Sequence, residues 1–221
     1  MSSERGNLII VSAASGSGKS TLVDMALERL SSVERCVTCT TRPPRGRECD
    51  GVDYHFLSVE EFERRIAAGD FLEYARVHGE RLYGTSRSAV ESVLARGTDV
   101  FLVIDVQGAE TVRRSMPVSV GVFILPPSFE ALEQRLRTRS ATENHNDEGD
   151  LARRLASARR EIICYRDFEY VIVNDDRNRA ADALVSIVRA ERSRERGQRA
   201  RIREILDTFH PGGESLHARE F

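Results

Sequence analysis

A chain of 221 residues with 40% hydrophobic residues and a formal charge of −2 can bury one sizeable core and is too short for two large independent domains. The near-neutral balance excludes a global electrostatic footprint for nucleic acid or an anionic membrane surface, no stretch approaches the length of a membrane span, and the polar Met1–Asn7 segment lacks a signal-peptide layout. The expectation is a cytoplasmic protein with no nucleic-acid or membrane partner, its four cysteines kept as thiols, with monomer and homo-oligomer both open.

In chain order, Leu8 to Ala13 (LIIVSA) is a short apolar run rich in β-branched residues. The small-residue loop Ala14 to Gly18 follows at once, and Leu22, Val23, Ala26, Leu27 and Leu30 then recur at helical spacing. Cys36 and Cys39 form a C-x-x-C pair, but with no second ligand pair at metal spacing a zinc half-site is disfavoured. From Thr38 to Ser86 the chain is polar and turn-rich, then carries a short helical pattern and aromatic residues, and reads as an inserted substrate-binding subdomain. Helical patterns are predicted over Arg87–Ala95, Phe129–Arg137, Asp150–Cys164 and Arg179–Arg192. The near-continuous apolar runs Val100–Val106, Val118–Leu125 and Tyr170–Val173 suit strands of a parallel sheet covered on both faces. This alternation gives a doubly wound α/β core over 1–37, 87–133 and 161–205. The insert is assigned to 38–86. The arginine-rich stretch 134–160, around the uncharged-to-acidic Ala141–Asp150, reads as a mobile solvated lid. Beyond Ala190 the charged composition predicts a fraying helix, with 206–221 as a flexible tail.

Ala13-Ala14-Ser15-Gly16-Ser17-Gly18-Lys19-Ser20 matches the phosphate-loop pattern G-x-x-x-x-G-K-[ST] at every defined position but the first, and it lies between a predicted strand and a predicted helix. In that setting the backbone N–H groups and the helix N-terminus face phosphates. The fold class is therefore α/β, a P-loop NTPase-type parallel sheet with helices on both faces, carrying inserted subdomains. Lys19 is the expected bridge between the β- and γ-phosphates of ATP. Ser20 is the expected Mg²⁺ ligand, and Thr21 either completes the nucleotide site or is a plain helix residue. Of 33 basic residues Lys19 is the sole lysine, which points to a place where a compact ammonium is needed and a planar fork is not.

The acceptor is read elsewhere. Thr41-Arg42-Pro43-Pro44-Arg45-Gly46-Arg47-Glu48-Cys49-Asp50-Gly51-Val52-Asp53-Tyr54-His55-Phe56 closely resembles the T-R-x-P-R-x-x-E-x-x-G-x-x-Y-x-F run of guanylate kinases. The resemblance continues through Phe71-Leu72-Glu73-Tyr74-Ala75, Tyr83-Gly84-Thr85, Ile104-Asp105-Val106-Gln107-Gly108, Arg135-Leu136 with Arg139, Arg154-Leu155 and Val173-Asn174-Asp175-Asp176, covering roughly residues 7 to 190. It implies transfer of the γ-phosphoryl group of ATP to GMP, and to dGMP, for GTP supply and GMP recycling, with 38–86 as the GMP-binding subdomain. It also implies that Arg42, Arg45, Tyr54 and Tyr83 hold the GMP phosphate. Glu73 accepts from the guanine edge, Thr38 and Thr85 serve as its hydroxyl partners, and Asp105 lies near the 2-amino group. Arg135, Arg139 and Arg154 on the lid, with Arg42 and Lys19, surround the transferring group, and Asn174 lies against adenine while Asp175 caps the next helix.

Four departures stand out: Ala13 for glycine, Val103 where many relatives carry an acidic residue acting on the Mg²⁺ shell, one extra residue in His78–Leu82, and a longer Ser140–Arg153. The rivals are a related kinase of another acceptor, such as a ribose phosphate, and a non-catalytic protein-binding module. A GTPase switch is disfavoured, because a chain with one lysine holds no N-K-x-D motif.

Overall fold

The computed structural model describes residues 5–46, 48–77, 81–142 and 148–209, the side chains of residues 77, 139–142, 148 and 150 excepted. Strand β1 (Leu8–Ala13) runs into helix α1 (Lys19–Leu27), then β2 (Val33–Arg35), β3 (Cys39–Thr40), β4 (His55–Phe56), α2 (Val59–Ala67), β5 (Phe71–Val77) and β6 (Arg81–Ser86). Next come α3 (Arg87–Ala95), β7 (Asp99–Val103), α4 (Val106–Ser115), β8 (Val120–Leu125), α5 (Phe129–Thr142) and α6 (Glu148–Glu161). A 3₁₀ turn (Ile162–Asp167), β9 (Tyr170–Val173), α7 (Arg177–Arg192), a second 3₁₀ turn (Glu195–Gly197) and α8 (Arg199–Phe209) complete the described chain.

The strands form two sheets. The first has the order β2-β7-β1-β8-β9, all pairs parallel. Its central strand β1 is buried on both faces, as an uninterrupted LIIVSA run requires. Ile9, Val11 and Ala13 pack with α1 and α7, while Leu8 and Ile10 point to the opposite face with Val90, Leu94 and Val112 of α3 and α4. The second sheet, β4-β3-β6-β5, belongs to the insert. It has its own apolar cluster of Cys39, Phe62, Phe71 and Leu82, with Phe62 and Phe71 stacked at 4.5 Å.

Several elements differ from the sequence expectation, each for an identifiable reason. The strand predicted to Val106 stops at Val103, because Asp105 adopts extended backbone and caps α4, accepting from the Gly108 N–H at 2.8 Å. Apolar continuity hides that switch and also hid α4 itself. Strand β8 begins at Val120, after the Pro117 turn that leaves Val118 exposed. The short strands β2 to β6 lack the length that makes periodicity visible. Helix α5 runs on to Thr142, and the predicted Asp150–Cys164 helix is α6, starting at Glu148 and tightening into a 3₁₀ turn after Glu161. Asp176, not Asp175, caps α7, accepting from the Arg179 N–H at 2.8 Å, while Asp175 pairs with the Arg179 side chain.

The lid stretch is not wholly solvated. Leu136, Leu151 and Ala158 are buried against Leu132 and Ala14 of the phosphate loop. Residues 143–147, within the acidic stretch, lie outside the described residues, as do residues 210–221 of the predicted tail; residues 206–209 are the last turn of α8.

The charged chain after Ala190 also buries more than its composition suggests. Glu191 is 0% exposed. It accepts from the Tyr170 hydroxyl at 2.7 Å and pairs with Arg194 and Arg196 at 2.9 and 3.1 Å. Arg192 reaches Asp99 at 2.6 Å and Gln198 donates to Arg192 O at 2.7 Å. Composition misses this because the charges neutralise one another pairwise. Glu191→Ala removes the buried acceptor shared by Tyr170, Arg194 and Arg196. It is expected to cost about 2 kcal/mol, lowering Tm by roughly 6 °C in thermal unfolding, with the sheet intact by circular dichroism.

Candidate active site

The phosphate loop spans the gap between the end of β1 and the start of α1. Gly16 and Gly18 take the left-handed backbone, φ +89 and +94, that a loop folded around its own N–H groups requires. Neither glycine has room for a side chain. A Cβ on Gly16 would meet Leu136 at 2.8 Å, and one on Gly18 would meet Asn174 Nδ2 at 2.5 Å. Ser17 is buried, Ala13 and Ala14 lie in the core, and Ser20 and Thr21 are exposed on the first turn of α1. Helix α1 has no side-chain cap, so its first N–H groups are left for a ligand. Lys19 Nζ donates to Ala13 O at 3.1 Å.

Two further groups fasten the loop. Asn174, 3% exposed at the end of β9, donates from Nδ2 to Ser17 O at 2.8 Å, and Arg135 of α5 donates to Asn174 O at 2.9 Å. Glu161, at the end of α6, accepts from the Ser15 N–H at 3.3 Å and from the Ser157 hydroxyl at 2.7 Å. Arg154 is half-buried on α6. Arg139 lies on the α5 backbone, and its side chain is outside the described residues. Arg137 is paired with Glu133 on the surface at 2.7 Å.

The second sheet holds most of the residues expected to bind the acceptor. Arg42 is 4% exposed. Its guanidinium forks onto Glu48 at 2.7 and 2.9 Å, donates from Nε to the Tyr83 hydroxyl at 3.2 Å and from Nη1 to Pro43 O at 2.8 Å. It also lies over the Tyr54 ring at 5.2 Å, and Tyr54 meets Tyr83 edge-on at 6.0 Å. Hydrogen bonding to Glu48 raises the Arg42 pKa, and Arg42 in turn holds the Glu48 carboxyl below its usual range. Glu48 also accepts from the Arg45 N–H at 2.8 Å, while the Arg45 side chain is exposed.

Across the sheet, Glu73 is 5% exposed and accepts from the Thr85 hydroxyl at 2.5 Å. Burial pushes its carboxyl up to about 7; the bonds from Thr85 oppose that shift and the nearby Asp105 adds to it. Gly108 completes the wall, since a Cβ there would stand 2.9 Å from Glu73 Oε2. Thr38 is half-buried just before β3. Cys36 has its thiol pushed up to about 12, first by burial, then by Cys39 and Glu73, and Cys39 lies in the apolar cluster of the insert. These environments favour neutral thiols over a metal or redox pair.

The structure thus gathers Lys19, Ser20, Arg135 and Asn174 around the phosphate loop, and Arg42, Tyr54, Tyr83, Glu73, Thr85 and Asp105 around the insert and the start of α4. Sequence reasoning gave no role to Glu48, Gly108 or Glu161. Glu48 was findable as a carboxylate three residues beyond Arg45 in an arginine-rich loop. Gly108, the third helical residue after a capping aspartate, signals a close approach, whereas Glu161 carries no local signal.

A family model described as guanylate kinase matches residues 5–191. The guanylate kinase of Idiomarina loihiensis is 49% identical over 203 residues, 91% of this chain and 94% of the relative, and that of Vibrio parahaemolyticus is 48% identical over 93% and 98%. The crystal structure of guanylate kinase from Anaplasma phagocytophilum superposes with a TM-score of 0.76 at 32% identity, covering 97% of this chain and all of that one. With its phosphate loop and insert built as described, this chain belongs to the guanylate kinase family.

Proposed function

We propose that this chain is a working guanylate kinase, an ATP:GMP phosphotransferase that converts ATP and GMP to ADP and GDP. The observation that carries the reading is Glu73, a buried carboxylate held by Thr85 beside a wall kept open by Gly108. Guanine offers N1–H and N2–H₂ as paired donors to such a group. Adenine offers an acceptor at N1 and no 2-amino group, so it would leave Glu73 desolvated with no donor beyond Thr85, at a cost of about 1–3 kcal/mol. Asp105 is in place to take the 2-amino group, and Thr38 and Thr85 supply hydroxyls.

The GMP phosphate lies between Arg42, Arg45, Tyr54 and Tyr83. Arg42, oriented before substrate arrives, loses little freedom on binding, which favours the bound geometry. On the donor side the loop Ala14 to Ser20 and the Lys19 ammonium cradle the ATP phosphates, through N–H groups other than those of Ser15 and Ser17, which donate within the protein, with Ala13 and Thr21 flanking them. Arg135, Arg139 and Arg154 neutralise charge on the transferring group, and closure of the lid, residues 134–160, over the site excludes water.

Mg²⁺ fits this site. Among the described residues there is no cluster of three or more His, Cys, Asp or Glu that could form a protein cage, and the Ser20 hydroxyl is exposed beside Lys19. That donor set suits an ion held by one hydroxyl, substrate phosphates and water, and Mg²⁺ would there offset phosphate charge. Val103, at the position where many relatives are acidic, packs against the core of this chain. No described helix is long and apolar enough to cross a membrane, and the reading places the enzyme in the cytoplasm.

The direct test is ADP release with ATP and Mg²⁺ and GMP, dGMP, AMP, CMP, UMP or ribose 1,5-bisphosphate as acceptor. Turnover is expected with GMP and dGMP. Turnover confined to another acceptor removes the guanine assignment, and none at all in a folded sample removes the kinase.

The pH profile tests Glu73. With its pKa at about 7 in the free enzyme, Glu73 is neutral below that value and must release a proton to accept both guanine donors. The KM for GMP is therefore expected to rise as pH falls through 7 and to level off above it. The GMP phosphate titrates separately, near pH 6. Glu73→Gln should retain only that lower bend, and an unchanged wild-type bend in the variant would exclude Glu73 as its source.

A further inference from the structure

Asn174 is expected from the family resemblance to lie against the adenine of ATP, yet its side-chain amide is shut inside the protein. Nδ2 donates to Ser17 O, and Oδ1 is buried with no hydrogen-bond partner. A base could not reach either end without displacing the loop. The main chain of Asn174 is held as well, its N–H donating to Leu125 O at 2.8 Å and its carbonyl accepting from Arg135. Gly18, at φ +94, passes so close that a Cβ there would stand 2.5 Å from Nδ2.

We propose that Asn174 is a positioning residue that fastens the phosphate loop to the edge of the sheet and ties lid helix α5 to it, and that its side chain does not read the nucleotide base. The inference rests on the kinase reading above and deepens it. The physical case is that the loop reverses on two left-handed glycines and has few internal bonds of its own, such as Ser17 N–H to Ala14 O at 3.2 Å. An external donor on Ser17 O fixes the carbonyl one residue before Gly18, and with it the direction of the N–H groups of Gly18, Lys19 and Ser20. Arg135 grips the same residue from α5, so lid helix, sheet edge and loop share one anchor. A donor serving geometry alone should affect every nucleoside triphosphate alike, because all share the phosphates.

The experiment compares Asn174→Asp, which keeps the shape but puts an acceptor where Nδ2 donates, and Asn174→Ala, in case the buried charge prevents folding. Two readouts are taken: steady-state kinetics with ATP and with ITP, which differ at the base, and hydrogen–deuterium exchange of the Ala14–Lys19 amides without ligand. The expected result is a kcat lower by roughly a hundredfold with both donors, an unchanged ATP:ITP ratio, an unchanged KM for GMP, and faster exchange in the loop while β1 and β8 stay protected. A shifted ATP:ITP ratio at retained kcat, or unchanged exchange in the loop, would overturn the proposal. Failure of the wild-type enzyme to phosphorylate GMP would count against the kinase reading instead, and the exchange measurement would still decide for or against the anchor.

Discussion

A phosphate loop must leave most of its N–H groups free for a ligand, and much of the surrounding structure follows from that requirement. A segment that turns its donors toward a ligand cannot also use them to hold itself together. Here the support comes from outside: Ala14 buried with Leu132 and Leu136, Gly16 pressed against Leu136, Glu161 on the Ser15 N–H and Asn174 on Ser17 O. The parallel sheet supplies the platform, because the β1 and β9 ends lie on the same side of adjacent crossovers and deliver Ala13 and Asn174 to one edge. The helices that carry the lid arginines pack on the same loop.

The acceptor side solves a different problem with the opposite means. There the charges are nearly complete before substrate arrives. Arg42 is buried, and its fork is already occupied by Glu48, which keeps a desolvated cation from standing unpaired. The same carboxylate gathers the Arg45 backbone, so one acidic residue shapes the whole turn. Glu73 is the exception: it faces Thr85 and Asp105, and burial raises its pKa because no cation offsets the desolvation. The contrast follows from the ligands. On the proposed function, a dianionic phosphate is strong enough to engage a preoccupied arginine network, whereas guanine is neutral and is best told from adenine by a carboxylate with acceptor capacity left beyond its bond from Thr85.

How far the sequence reveals this depends on whether the information is local. The strand, glycine loop and helix from Leu8 to Leu27 are legible because apolar periodicity and left-handed glycine positions are written within twenty residues. Strand β9 and helix α3 were legible to their ends for the same reason. Strands β3 and β4 were not, since two residues carry no period and only the pairing of β3 with β6 and of β4 with β3 makes them strands. Helix α4 was masked by an apolar run that continues through the capping Asp105. The chain after Ala190 misled by composition: burial of Glu191 depends on Tyr170, 21 positions earlier, and on arginines that composition counts as solvated. The resemblance named a set of residues that the fold does bring together, but only coordinates reveal that Glu48 holds Arg42 and that the Asn174 amide faces inward.

The lone lysine can be understood in the same terms. Arginine works elsewhere in this chain with several donors on set partners: Arg42 forks onto Glu48, Arg192 spans Asp99 and the Ser31 carbonyl, and Arg29 spans Asp182 and Asn178. The residue after Gly18 has a different task. Its side chain folds back along the loop to Ala13 O, and on the proposed function it turns toward phosphate when nucleotide enters. A tetrahedral ammonium can exchange one acceptor for another by rotating about its last bonds, with three equivalent donors. A guanidinium would have to swing its whole plane to make the same exchange. On the proposed function, an arginine-biased sequence thus has its single lysine at the position where a charge must change partners.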